Sequence, residues 1–385
     1  MSELDTLRGA IDEVDRQIVT LFERRMEITQ SVGEYKKRVG MPVLDPKRER
    51  DVLQKKIDWL HNPELKTDVT TLYETIMALS RKKQRQLVHE GTEFPSFARF
   101  AEALRNRREP IPNPRIVYQG EAGAFSEMAA ISFFGEDANT RGLYQFEDPF
   151  RALHNGEADY AVLPIENSST GAVRQVYDLL AQYECYIVGE TTVRVRHCLM
   201  ALPGTKLEDI KTVYSHEQGL FQCEQFLNQH PQWHQVAQVD TAGSAKMVAE
   251  KQDPTRAAIC SARAAEIYGL EILAADVNSN SRNTTRFVVI SPRMELREGR
   301  DKVCISFTTP HSSGSLHEVL TIFAVHGLNL VRLESRPIPE RSWEYMFFTE
   351  FTGNLLEPEM DAVMHELTQT AEDLRVFGNF KSNLG

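Results

Sequence analysis

One apolar stripe constrains how this chain can begin. Leu4, Leu7, Ile11, Val14, Ile18, Leu21, Ile28, Val32 and Tyr35 follow one another in steps of three and four with a single gap. That spacing puts them on one face of a helix, as in a coiled-coil seam. The gap falls at position 25, where the register asks for an apolar residue and the chain supplies Arg25. A guanidinium in such a seam must meet an anion or remain an unpaired charge out of water. The anion is either an Asp or Glu of the chain, the commoner arrangement, or a ligand. Lys36 lies beside the same seam. At the helical rise the two cations stand about 16 Å apart, within reach of one small ligand, whereas Arg8 is about 25 Å from Arg25 and cannot share it. Arg8 therefore serves a second site or a partner chain, and so long a seam suggests a dimer.

Gly40, Pro42 and Pro46 break this helix. A second starts near Asp45 with Arg48, Glu49 and Arg50 in its first turns, where cations oppose the helix dipole at a cost that a bound anion offsets. Asn62–Thr67 is a turn. A third helix, Asp68 to about Val88, carries Leu72, Ile76 and Leu79, with Ser80 and Gln84 one turn apart on a neighbouring face.

Over roughly residues 4–88 these features resemble the all-helical chorismate mutases. The resemblance implies an anion-binding set at Arg8, Arg25, Lys36 and Arg48, with Asp45, Glu49, Ser80 and Gln84 at the other polar positions. It implies an intertwined dimer in which Arg8 crosses to the other subunit. It also implies a pericyclic rearrangement of the dicarboxylate chorismate to prephenate, with no protein nucleophile. Arg8 and Arg25 would grip carboxylates, Lys36 and Gln84 would donate to the breaking ether oxygen, and Glu49 would accept from the ring hydroxyl. Such residues suit catalysis by compression into the reactive conformer and by stabilising developing negative charge.

Composition narrows the classes. A chain of 385 residues exceeds one ordinary core, and 41% hydrophobic with 26% charged residues is globular. A net charge of −11 makes nucleic acid and anionic membranes poor partners. No apolar run reaches bilayer length, and the beginning, MSELDTLRGAIDEVD, has no signal-peptide core. Cys185, Cys198, Cys223, Cys260 and Cys304 are scattered without CxxC pairs, which predicts reduced thiols in a cytoplasmic protein and no zinc site. Neither GxGxxG nor GxxxxGK[ST] occurs, so dinucleotide and P-loop chemistry have no support, and no cofactor or metal is expected.

His89–Pro114 reads as a connection, with a short amphipathic helix at Phe97–Leu104 and stiff prolines at 110, 112 and 114. Strands then alternate with helices, which predicts parallel sheets with crossover helices. Arg115–Gln119 is a strand; Gly120 and Gly123 turn it into a helix with Ser126 and Glu127 at its start, offering free N–H groups to an anion. Asp159–Leu163 leads into the polar loop of PIENSSTGAV, before a helix at Val173–Leu180. Ile187–Val195 crosses to a second lobe. There a strand ending Val213–Ser215 opens a helix over Leu220–Leu227, and Asp240–Ser244 precedes another. In VNSNSRNTTRFVVI (Val277–Ile290) a polar run feeds the strand Phe287–Ile290, with Thr284, Thr285 and Arg286 at the junction. Polar loops at 120–126, 165–171, 215–219 and 278–286 all sit where ligands bind in such sheets, and together they imply a cleft between two lobes.

GEAGAFSEMAA, VLPIENSSTGAV, YSHEQ and TTRF resemble the prephenate dehydratase family, over roughly residues 113–293. The resemblance implies a fold similar to two-lobed periplasmic binding proteins and the conversion of prephenate to phenylpyruvate by loss of water and carbon dioxide. It gives Thr285 the leading catalytic role, with Asn167 and Gln218 at the other polar catalytic positions. Ser126, Ser168 and Thr170 would bind substrate, and Arg286 would either serve its carboxylates or pair with an acidic neighbour. Glu217 and Gly219 depart from the proline and alanine frequent in the family, and DTAGS lacks its usual glutamate.

The remaining chain reads βαββαβ, a ferredoxin-like order. The strands are Val303–Phe307, Asn329–Pro337, Trp343–Phe351 and Arg375–Phe380, and the helices Gly314–Val325 and Glu359–Thr370. HSSGSLHEVL and NLVRLESRPIP resemble the ACT regulatory module, over roughly residues 299–385. That resemblance implies phenylalanine binding at a dimer interface near Gly314, Leu316, Asn329, Leu330, Glu334, Ser335 and Arg336, with Ser315 and His317 departing from the usual Gly-Ala-Leu-Val. The expected protein is multidomain: an all-α mutase bundle at 1–90, a linker at 91–112, a two-lobed α/β dehydratase domain at 113–293 and an α+β ACT domain at 299–385. Its ligands would be chorismate, prephenate and feedback-inhibiting phenylalanine, in a cytoplasmic homodimer or higher homo-oligomer. The competing expectation is an amino-acid-sensing protein whose two-lobed domain binds without catalysis.

Overall fold

A computed structural model describes residues 2–43, 45–88, 109–295, 297–312, 314–338 and 341–383, and the helix expected at Phe97–Leu104 lies outside them. The helices are α1 (Glu3–Val39), α2 (Pro46–Asp58), α3 (Lys66–Val88), α4 (Phe125–Phe134), α5 (Glu147–His154), α6 (Arg174–Gln182), α7 (Glu217–Gln222), α8 (Glu224–Leu227), α9 (Thr241–Lys251), α10 (Ala262–Tyr268), α11 (Ser315–Val325) and α12 (Pro358–Thr370). The first strands are β1 (Ile116–Gln119), β2 (Thr140–Leu143), β3 (Tyr160–Asn167), β4 (Gly171–Ala172), β5 (Tyr186–Arg194), β6 (Cys198–Ala201), β7 (Thr212–His216) and β8 (His234–Gln238). They are followed by β9 (Arg256–Cys260), β10 (Glu271–Ala274), β11 (Thr284–Ser291), β12 (Lys302–Thr308), β13 (Leu330–Pro337), β14 (Tyr345–Thr352) and β15 (Glu372–Phe380).

Two compact units form. The described residues of Met1–Ala98, Thr309–Asn329 and Leu355–Glu372 make one; those of Arg99–Thr308, Leu330–Asn354 and Asp373–Gly385 make the other. In the first unit α1 is closed at both ends by its own sequence. Ser2 and Asp5 form a capping box, Glu3 and Asp5 face the positive end of the dipole, and Lys36 to Arg38 face the negative end before Gly40 turns left-handed at φ 69°. Asp45 caps α2 through the Arg48 amide, with Pro46 at the first helical position. Gly33 lets α1 approach α3 closely: a Cβ there would stand 3.2 Å from Gln84 Cα. The seam from Leu4 to Tyr35 is exposed. α11 and α12 pack on each other and on α3, where Lys82 donates to the Val325 carbonyl at 2.8 Å.

The second unit holds three sheets: β2-β1-β3-β11-β5 with β4 on β3, β10-β6-β9-β7-β8, and β13-β14-β12-β15. The expectation of parallel sheets holds only in part. β1 is parallel to β2 and β3, but β11 is antiparallel to both its neighbours, β3 and β5. The chain leaves the first lobe along β5 and returns along β11, so no crossover helix sets their direction. In the second lobe β6 is antiparallel to β9 and β10. Two other boundaries differ. The helix expected over Leu220–Leu227 is two short helices divided at Cys223, and the expected polar loop is partly strand, because β3 runs on to Asn167 and β11 starts at Thr284.

The first and third sheets share one core. Leu163, Ile165, Val288 and Ile290 pack in the same buried cluster as Cys304, Phe348, Phe377 and Phe380. Gly378 is where the backbones come closest: a Cβ there would lie 2.0 Å from the Ile187 carbonyl oxygen. Gly378→Ala is therefore expected to destabilise the chain by about 1–3 kcal/mol. Gly9→Ala, in open space on a helix, is expected to stabilise it by about 0.5–1 kcal/mol. Denaturant unfolding of both variants checks the pair, and equal stabilities would refute the close approach.

Candidate active sites

In the first unit, Ser80 and Gln84 stand one turn apart on α3, facing α1. Arg25 of α1 donates to the Ser80 hydroxyl, which donates to the Ile76 carbonyl at 2.7 Å. Lys36 reaches the Val43 carbonyl at 2.5 Å. Burial depresses its pKa, partly offset by the carboxylates of Asp45 and Glu49. Burial also lowers Arg25. Lys56 is lowered by burial and then by the nearby positive charges of Arg25, Lys55 and Arg48. Gln84 is buried with its Oε1 unpartnered among the described residues, an atom poised for a ligand donor. Asp45 is occupied at the α2 cap, and Arg48 is exposed beside it. Arg8 lies on the exposed stretch of α1. Lys56 escaped the sequence reading, and so did Arg81, which pairs with Glu49 at 2.5 Å. No periodic signal marked Arg81, because it sits one residue beyond Ser80 on a helix already rich in cations.

In the second unit a cavity of about 480 Å³ opens between the two lobes. Gln119, Ser126, Asn167, Thr170, His197, Gln218, Asp240 and Thr285 are among its lining residues. Asn167 and Thr285 are register partners on β3 and β11. Asn167 Nδ2 donates to Thr285 Oγ1 at 2.8 Å and to Asn283 Oδ1 at 2.7 Å. Its Oδ1 accepts from the amides of Ser169 at 2.9 Å and Thr170 at 3.2 Å, which fixes the orientation of the carboxamide. Ser168 is spent elsewhere: its hydroxyl accepts from the Thr284 amide at 3.0 Å. The glycine turn is less open to an anion than expected. The Glu121 amide donates to Asp240 at 3.1 Å and the Gly123 amide to Glu127 at 2.7 Å, so carboxylates of the chain already take both. Gly219 suits its place, since a Cβ there would stand 2.5 Å from Ser215 Oγ.

Of the two places expected for Arg286, the structure shows the acidic neighbours. Its side chain does not line the cavity. It is buried against Glu190 and Glu350, with Nη1 at 2.9 Å and 2.7 Å from them. Adjacent strand residues face opposite sides, so a residue next to Thr285 points away from the cleft. Several lining residues lay outside the four expected loops, Asp240 and His197 among the polar ones. Asp240 caps α9 by accepting from the Ala242 and Gly243 amides. His197 is buried, with Nε2 2.9 Å from Gln222 Oε1 and Nδ1 unpartnered among the described residues.

The residues expected to bind a regulator divide between the units. Gly314, at φ 87°, and Leu316 lead α11, and Asn329 ends the same segment. Leu330, Glu334, Ser335 and Arg336 lie on β13, where Arg336 holds Asp178 of α6 through bonds of 2.8 Å and 2.7 Å. Among the described residues no cluster of His, Cys, Asp and Glu could hold a metal ion, and no helix is long and apolar enough to cross a membrane. All five cysteines are free and buried.

Residues 7–85 match the family pattern for chorismate mutase type II, and residues 116–295 that for prephenate dehydratase. A bifunctional chorismate mutase/prephenate dehydratase of Escherichia coli (strain K12) is 33% identical over 98% of this chain and 95% of its own length. The chain belongs to the bifunctional chorismate mutase/prephenate dehydratase family. Among solved structures, prephenate dehydratase from Arthrobacter aurescens in complex with L-Phe is 31% identical. It covers 70% of this chain and 90% of its own, with a TM-score of 0.65. A quorum-quenching acylase, also 31% identical, covers 70% and 98% with a TM-score of 0.64. These relatives do not favour a non-catalytic sensor.

Burial gives a checkable titration. It holds His197 below the ordinary histidine range, against the opposing bond from Gln222. The imidazole of this family member is thus expected to stay neutral at pH values where exposed histidines are already protonated. Because the unfolded chain takes that proton first, the stability from a neutral His197 is present above the ordinary histidine pKa and is lost as pH falls below it. Ring-proton titration by NMR tests this, and an ordinary midpoint for His197 would contradict it.

Proposed function

We propose that the two activities divide between the two sites. The rearrangement of chorismate falls to the helical cluster, where Arg25, Arg48 and Ser80 bind carboxylates and the ring. Lys36 and Gln84 donate to the breaking ether oxygen, and Glu49, aided by Asp45, orients the ring hydroxyl. Arg8 acts from a second copy of the chain, in line with the exposed seam of α1. The depressed Lys36 supports this reading, since a partly buried cation is stabilised by an anionic ligand, and the buried, unpartnered Gln84 Oε1 is open to a donor such as a ligand hydroxyl.

The dehydration of prephenate falls to the cleft. One observation carries it: Asn167 donates to Thr285 Oγ1 at the cavity wall. With that lone pair occupied, the Thr285 proton is free to be given to the departing ring hydroxyl. As the C–O bond breaks, the hydroxyl leaves as water, the ring carboxylate leaves as carbon dioxide, its bonding electrons complete the aromatic ring of phenylpyruvate, and solvent returns a proton to Thr285 Oγ1. The Asn167 N–H stabilises negative charge growing on Oγ1, which a weakly acidic hydroxyl requires. Gln218, Ser126 and Thr170 orient the substrate, and Ser168 holds the strand start.

The C-terminal segment reads as an ACT module that takes phenylalanine. Gly314, Leu316 and Asn329 are candidate ligand residues in one unit, and Leu330, Glu334, Ser335 and Arg336 in the other. The fold of the sheet, β13-β14-β12-β15, supports this, as does the L-Phe held by the Arthrobacter relative. The free buried thiols fit a cytoplasmic enzyme, at least dimeric.

Chorismate given to the pure chain is expected to yield prephenate and then phenylpyruvate, with added phenylalanine slowing the second step. In Thr285→Ala prephenate accumulates, dehydratase turnover falls by about 100-fold or more, and mutase turnover is unchanged. Near-wild-type phenylpyruvate formation by that variant would refute the role of Thr285. Absence of both phenylalanine binding and inhibition would refute the regulatory reading.

A further inference from the structure

Arg286 follows Thr285 on β11 and faces the opposite side of the sheet. There it enters a group of four charges with side-chain exposures of 4% or less: Arg286, Glu190, Lys302 and Glu350. Glu350 of β14 grips the guanidinium with both oxygens, at 2.7 Å and 2.8 Å. Glu190 of β5 takes Nη1 at 2.9 Å, and Lys302 of β12 joins Glu190 at 2.6 Å and Glu350 at 3.5 Å. Half of this group therefore comes from the C-terminal sheet.

The register of β11 against β3 holds at Thr285↔Asn167 and Arg286↔Glu166 and shifts between Arg286 and Phe287. The ladder sends Thr285 to the cleft side and Arg286 to the other face, and leaves the rotation of each side chain to the bonds it makes. Asn167 holds the hydroxyl on the cleft side. On the far side the two-pronged bond to Glu350 fixes rotation as well as distance. We propose that Arg286 and Glu350 are positioning residues for the dehydration step: Glu350, acting through Arg286, sets the aim of the Thr285 hydroxyl, so that the C-terminal sheet completes the dehydratase site. The proposal rests on the reading of Thr285 as proton donor.

The test uses the full chain carrying Arg286→Met and Glu350→Met together. This removes the linkage and leaves Lys302 and Glu190 charge-balanced, and an apolar replacement of a buried ion pair is often neutral for stability. The double variant is expected to unfold at wild-type denaturant concentration and to keep wild-type mutase turnover. Its dehydratase kcat is expected to fall about tenfold or more with KM nearly unchanged, since a misplacement of about 1 Å can cost about 100-fold. Glu350→Gln, which preserves shape, is expected to show the same kcat-against-KM split to a smaller degree and carries the test if the double variant does not fold. Dehydratase kcat at wild-type level in the folded variant, or a loss carried by KM alone, overturns the proposal. Each change is repeated in Thr285→Ala. If Thr285→Ala is inactive while the Arg286 and Glu350 variants keep full kcat, positioning alone fails. If Thr285→Ala itself keeps turnover, the reading of Thr285 has failed and the proposal with it.

Discussion

Four charges withdrawn from water tie the dehydratase sheet to the sheet that follows it in the chain. Arg286 and Glu190 belong to the first sheet, Lys302 and Glu350 to the third. Taking such groups out of water is costly, and the cost is offset only because each charge has close partners of the opposite sign. Burial pushes the Glu350 carboxyl up, but Arg286 and Lys302 outweigh it and hold the pKa below the ordinary range. The unfolded chain thus takes up that proton first, so the stability from Glu350 is lost as pH falls. Removing one partner alone costs about 3–5 kcal/mol by the usual measure of broken buried pairs. The apolar core shared by the two sheets surrounds this group and keeps water from it. Further grips reinforce the joint: Arg336 on Asp178, and Arg375 on the carbonyls of Leu180, Ala181 and Tyr183 at the end of α6.

The two active sites use charge differently. In the cleft, polarity is spent on orientation: a carboxamide fixed by two backbone amides aims one hydroxyl, and the nearest arginine is turned away. In the helical unit, cations stay near one another with few carboxylates to answer them, which is what the binding of a dianion requires. Arg81 is the exception, answering Glu49 directly. Distance along the chain and the division into two units make the sites separable by mutation, although one chain carries both.

Much of this was legible in the sequence, for identifiable reasons. The helices of the first unit announce themselves by period and caps, from Ser2 and Asp45 to Gly40. Arg25 stood out because it broke an apolar register, and the structure finds it bonded to Ser80, a residue also singled out by its helical face. Thr285 and Asn167 came from short motifs and meet in one hydrogen bond. Arg286 stood between two readings, substrate carboxylates or an acidic neighbour, and strand alternation, which sends it to the other face, favours the neighbour. Its partners lie 96 and 64 residues away, outside any local pattern. The antiparallel entry of β11 between β3 and β5 was hidden for the same reason, since pairing across a returning chain leaves no periodic trace. Asp240 opened the DTAGS stretch without a role of its own, His197 carried no motif, and only packing brings them to the cleft.

Native-state hydrogen exchange on the full chain tests most directly whether the two sheets form one cooperative body. Joined through Arg286 and the shared core, the amides of Val288–Ile290 and of Val303–Ile305 are predicted to exchange by the same opening event, with free energies within about 1 kcal/mol of each other. Release of the C-terminal strands several kcal/mol more easily than β11, by about 3 kcal/mol or more, would contradict that union.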